Sequence, residues 1–166
     1  MKKWFVVVFA AALLTGCGAQ QTFETVDDVF EAGNNAAVGT VKLSLPDEAA
    51  VPVMESGTGG SLYLCDGYDL TVQTMEGGDL NRTLLQMTGY PADALQCIKT
   101  KPDGVTRYDL AWTSAGENGD LVARGVVLDD GAYHYVVTVM ADAQISGSLR
   151  ETWETLLESV RIVSTG

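Results

Sequence analysis

Apolar and polar positions alternate with a period of two through much of the second half of the chain. Thr106, Tyr108, Leu110 and Trp112 fall on one side of an extended run; Arg107, Asp109 and Ala111 fall on the other. The same alternation runs through residues 121–129 and 132–140, and each stretch predicts a strand. Asp130-Gly131 between them suits a two-residue hairpin, because both central positions take positive φ. A turn there pairs Leu128 with Tyr133, Val126 with Tyr135 and Arg124 with Val137. His134, Val127, Gly125, Val136 and Ala123 then share the opposite face. One face is bulky and aromatic. The other is lined with small residues, against which a helix lies close, so both faces of the sheet are expected to be covered.

An earlier hairpin spans residues 61–74. Asp66-Gly67 sets its register, with Cys65 opposite Tyr68, Tyr63 opposite Leu70 and Ser61 opposite Val72. A helix follows: Gly77-Gly78 breaks the strand, Asp79 caps, Leu80, Leu84 and Met87 share one face, and Gly89 and Pro91 end it. A short strand at 94–99 carries Leu95 and Cys97 on one side, and Pro102-Asp103-Gly104 turns the chain. Residues 114–119 read as a loop between the long strands. The clearest helix comes last. Leu149, Trp153, Leu156, Leu157 and Val160 form an apolar stripe, Arg150, Glu151, Glu154 and Glu158 face water, and Ser148 with Glu151 makes a capping box. Residues 161–163 fit a final edge strand. Near the front, Val41, Leu43 and Leu45 alternate with Lys42 and Ser44 in a strand ended by Pro46, and a short strand is expected at 51–54. The glycine cluster at 56–60 is no phosphate loop, for no Lys-Ser/Thr pair follows it and no helix opens there.

Before this domain the pattern changes. Lys2-Lys3 precede an apolar run from Trp4 to Leu14, too short for a membrane span of about 20 residues, and Leu14-Thr15-Gly16-Cys17 closes it. Two lysines, an apolar core and small residues before a cysteine form an export signal with a lipobox. The pattern resembles the signal of bacterial lipoproteins, in which the Cys is acylated on sulfur and becomes the first residue of the mature chain. Residues 1–16 are therefore expected to be signal peptide, 17–40 a lipidated Cys17 with a tether, and 41–166 the domain. The expected location is the cell membrane, lipid-anchored on the extracytoplasmic side.

Charge narrows the partners. The chain has ten Lys plus Arg against 22 Asp plus Glu, a net charge of −12; without Lys2 and Lys3, eight against 22 leave −14. A nucleic-acid binder needs a basic footprint, and none is present. Acidity also opposes adhesion to anionic headgroups beyond the anchor itself. With Cys17 taken by lipid, Cys65 and Cys97 remain. In an exported chain such a pair reads either as a disulfide or as two reduced thiols packed as small hydrophobes.

Candidate chemistry is thin. His134 is the single histidine, which excludes a multi-histidine metal site. It lacks a Gly-x-Ser-x-Gly nucleophile. The acidic pairs Asp27-Asp28 and Asp129-Asp130 lack the alternating oxygens of an EF-hand, and Glu117-Asn118-Gly119-Asp120 is explained by turn chemistry. Glu24, Glu31, Asp47 and Glu48 read as solvated surface. Tyr63, Tyr68, Tyr108, Trp112, Tyr133 and Tyr135 either fill the core or line a groove for sugar or peptide. No cofactor or metal is called for.

The elements sum to an α+β domain, an antiparallel β-sheet flanked by helices. It resembles the PsbP/Mog1-like α/β/α sandwich. It also looks like small clostridial-type lipoproteins of unknown function. The similar positions are Leu45-Pro46, the run Asp130-Gly131-Ala132-Tyr133-His134-Tyr135, and the terminal helix from Trp153 to Ser159. The resemblance carries no catalytic residue. It implies an accessory or docking module with an envelope protein partner, on fold analogy alone. The expectation is thus a membrane-anchored, non-enzymatic binding module. The alternatives are an extracytoplasmic hydrolase using His134 with a carboxylate, and a purely structural envelope protein.

Overall fold

Seven strands in the order β3-β4-β5-β9-β8-β7-β6 form one sheet in which every neighbouring pair is antiparallel. They are Pro52–Ser56 (β3), Gly60–Cys65 (β4), Tyr68–Glu76 (β5), Cys97–Thr100 (β6), Thr106–Gly116 (β7), Gly119–Asp129 (β8) and Tyr133–Asp142 (β9). The computed structural model describes residues 24–26, 37–45, 52–56 and 60–163. Glu24–Val26 (β1), Thr40–Leu43 (β2) and Arg161–Val163 (β10) make a second small sheet in the order β1-β2-β10. A strand therefore lies inside the stretch read as tether. The helices are Leu80–Thr88 (α1), Ala143–Ser146 (α2) and Arg150–Ser159 (α3).

Alternation along the strands sorts the core into two layers. On one face Tyr63, Leu70, Val72, Val126, Leu128, Tyr135 and Val137 pack with Val41 and Leu43 of β2 and with Trp153, Leu156 and Leu157 of α3. On the other, Leu110, Trp112, Ala123, Val127 and Val136 pack against Leu84 of α1. The architecture is an antiparallel sheet between two helical layers, the expected α+β arrangement. Gly125 shows why α1 lies so close: a Cβ there would run into Met87 Cε and sit 3.2 Å from the Val137 carbonyl. Small residues on this face remove the side-chain spacing that would hold the helix away.

Local chemistry fixes the elements. Asp79 Oδ1 accepts from the Arg82 amide 3.0 Å away, and Gly89 closes α1 in the left-handed conformation at φ +79°. The Asp66-Gly67 hairpin has the expected register, Cys65 opposite Tyr68 and Ser61 opposite Val72.

Four expectations shift. The β8–β9 hairpin pairs Leu128 with Tyr135 and Val126 with Val137. Asp130 is the cause: its Oδ1 accepts from the amides of Ala132 and Tyr133, moving the turn to Gly131-Ala132. A displacement of two residues keeps every side chain on its expected face. Residues 114–119 are mostly strand, with Gly116 paired to Gly119 across Glu117-Asn118. The short strand starts later than expected, at Cys97, after a 3-10 turn at Ala92–Ala94. The capping box is absent: Ser148 Oγ donates to the Ile145 carbonyl at 2.7 Å, tying α2 to the approach of α3.

The Cys65–Cys97 disulfide is not formed; both cysteines are free. β4 and β6 have four strands between them, so at about 4.8 Å per strand they lie roughly 24 Å apart. A disulfide needs Cα atoms within about 7 Å. Burial pushes the Cys65 thiol up to about 11.

Candidate functional site

His134 lies on the α1 side of β9, 1% exposed. Its Nδ1 is 2.7 Å from Thr83 Oγ1 on α1, and its Nε2 is 3.8 Å from Asp129 Oδ2 on β8. Hydroxyl, imidazole and carboxylate thus stand in a row. The carboxylate is beyond hydrogen-bond distance, and Asp129 Oδ1 accepts instead from the Gly131 amide. Thr83 and His134 are both buried, and neither lines either of the two hollows beside α3 described below. Burial lowers the imidazole's pKa, opposed by the charges of Asp129, Asp130 and Asp79.

The aromatics fill the core instead of a groove. Tyr63, Tyr68, Trp112, Tyr133 and Tyr135 are buried. Tyr135 donates its hydroxyl to Asp130 Oδ2 and accepts from the Gly39 amide, each at 2.8 Å, so it clips the β9 hairpin to the segment before β2. Burial, first of its causes, pushes that phenol well above its usual range. Tyr108 is half-buried beneath Lys99, whose Nζ is 5.4 Å from the ring centre.

Two hollows lie beside α3. The apolar layer over the sheet reaches β8, and β7 and β6 continue past it as a ledge. A cleft of about 420 Å³ sits there, walled by Leu157 and Glu158 of α3, with Ile98, Arg107, Asp109 and Ala111 along the ledge. Arg107 is committed: its Nε and Nη2 grip Asp109 at 2.8 and 2.7 Å, and Nη2 also donates to the Leu157 carbonyl at 2.9 Å. It holds the carbonyl end of α3, where a cation is favoured. Arg124 reaches Glu154 Oε1 at 3.3 Å, and Arg150 reaches the same oxygen at 3.1 Å. A second hollow of about 330 Å³, lined by Val122, Ser146, Gly147 and Trp153, meets the first at Arg124 and Glu154.

Sequence periodicity placed Arg150, Glu154 and Glu158 in water and gave no role to Arg107 or Arg124. One signal was available. Arg124 interrupts Val122, Val126 and Leu128 on the bulky face of its strand, an ionic residue at an otherwise core position. Cys17 and its lipobox, Asp27-Asp28, Glu31, Asp47 and Glu48 lie outside the described residues. Among the described residues no cluster of three or more His, Cys, Asp or Glu could hold a metal, and no helix is long and apolar enough to cross a membrane.

An antiparallel sheet clasped between α1 on one face and α3 with a small sheet on the other defines a PsbP-like fold. Solved structures agree. Cyanobacterial PsbP (CyanoP) from Synechocystis sp. PCC 6803 matches with TM-score 0.57 at 13% identity, over 90% of this chain and 99% of that one. LpqN, described as involved in cell envelope biogenesis of Mycobacterium tuberculosis, matches with TM-score 0.51 at 14% identity, over 87% of this chain and 93% of its own. A Bacteroides thetaiotaomicron protein matches with TM-score 0.52 at 13% identity over 76% of this chain, which spans only 46% of that larger one. At such identities the likeness is one of fold. No family model and no curated protein matches the sequence.

Proposed function

We propose that the protein is a lipid-anchored, extracytoplasmic, non-enzymatic binding module that serves as an accessory to an envelope partner. The lipobox ending in Cys17 supports the anchor. A PsbP-like fold shared with a protein of cell envelope biogenesis supports the setting. The observation that carries the non-enzymatic reading is the burial of His134 and Thr83 under α1. A general base must come within hydrogen-bond reach of the proton it takes, and this imidazole is 1% exposed and turned toward the Thr83 hydroxyl, 2.7 Å away.

The hydrolase alternative rests on the same hydroxyl–imidazole–carboxylate row, and one screen separates the two. The full-length protein is tested against esters, peptides, glycosides and phosphoesters. The expected result is no turnover by either the parent or a folded His134→Gln variant. Turnover by the parent that disappears in that variant would establish the hydrolase.

A further inference from the structure

Three of the five arginines in a chain of net charge −12 line the two hollows beside α3: Arg107 and Arg124 in the larger, Arg124 and Arg150 in the smaller. Their situations differ. Arg107 is held by Asp109 and by the carbonyl end of α3. Arg150 is largely exposed and pairs with Glu154 one turn along its own helix. Arg124 makes a single 3.3 Å contact, to Glu154, with its side chain 35% exposed at the meeting point of the two hollows. A guanidinium offers five N–H donors in a planar fork, so most of those on Arg124 remain for a ligand.

We propose that this cleft binds an organic monocarboxylate with a short apolar tail, Arg124 taking the carboxylate and Ile98, Ala111 and Leu157 receiving the tail. The assignment rests on the binding-module reading and supplies its ligand class. A carboxylate matches the guanidinium fork in two parallel hydrogen bonds. It can take Glu154's place on Arg124 without stranding Glu154, because Arg150 is the main partner of that side chain: the Arg150 hydrogen bond is the first cause holding the Glu154 carboxyl below its usual range. Ile98 is 69% exposed on the edge strand beside the cleft, so an apolar tail covers surface that otherwise meets water. The volume of about 420 Å³ fits a small ligand. Asp109, Glu154 and Glu158 line the same space, and they select a single negative charge over the nearly double charge of a phosphate monoester.

The test uses the full chain in phosphatidylcholine nanodiscs, with empty discs as the blank. Hexanoate, hexylamine and hexyl phosphate are titrated by calorimetry at neutral pH. Hexanoate should bind at least tenfold more tightly than hexylamine, and more tightly than hexyl phosphate. Arg124→Met should weaken hexanoate at least tenfold, with Arg124→Lys intermediate. Glu154→Gln removes the competing carboxylate and should tighten hexanoate several-fold, which keeps the test decisive if the Met variant fails to fold. Undetectable hexanoate binding, preference for the amine or the phosphate, or indifference to Arg124 would each overturn the site. None of those results bears on acylation of Cys17. Hexanoate bound through Arg124 by a protein without lipid would keep the site and overturn the anchor.

Discussion

Buried under α1, the His134 side chain gives the stability of the molecule a definite pH response. Its imidazole contacts Thr83 and faces the carboxylates of Asp129, Asp130 and Asp79, yet burial outweighs those charges and its pKa falls below the ordinary 6.5. The folded chain then binds fewer protons at this site than the unfolded chain. The stability it contributes is complete above about 6.5, the unfolded value, and is lost as pH falls from there through the folded value. Melting followed by circular dichroism should give a lower Tm at pH 5.5 than at pH 7.5. A folded His134→Gln variant should show a smaller drop over the same interval. Asp69 works the other way, since burial raises its pKa and acid favours its neutral form; comparison with the variant isolates the histidine. Equal acid sensitivity in both proteins would mean that His134 is not the buried neutral group described.

At the scale of elements, α3 is held by Trp153, which is 1% exposed and meets Tyr68 edge-on with ring centres 6.1 Å apart. Trp153→Ala should cost about 3–5 kcal/mol, read from urea unfolding. Trp153→Phe should cost less, because the indole Nε1 is buried without a hydrogen-bond partner among the described residues and its loss leaves nothing unpaired. An alanine variant as stable as the parent would show that α3 is not docked through this residue. The elements were also the scale at which the sequence could be read best. Asp79 and Gly89 bracket α1 as their chemistry requires, and Asp66-Gly67 sets the first hairpin because a two-residue turn leaves no freedom of register. The β8–β9 turn was displaced because a side chain, Asp130, competes with the backbone for the same amides. Ser148 failed as a cap because its hydroxyl serves α2, a four-residue helix too short to leave a periodic signal.

The whole molecule explains what the sequence hid. The α+β class was legible because period-two strands and a 3.6-residue stripe are local. Which strands become neighbours is not local, and the long separation of Cys65 from Cys97 across four intervening strands follows only from the strand order. The cleft was hidden for the same reason: Arg107, Arg124 and Glu154 come from three elements and converge only when α3 lies across the sheet. A lipid on Cys17, followed by a short chain to the small sheet, would hold this acidic domain and its cleft close to the membrane. The anchor is the central claim, and metabolic labelling of growing cells with a fatty-acid probe tests it most directly. The parent chain should take up label and sediment with membranes, and Cys17→Ala should lose the label. An alanine variant that retains label, or a parent chain that never acquires it, would contradict the anchored module.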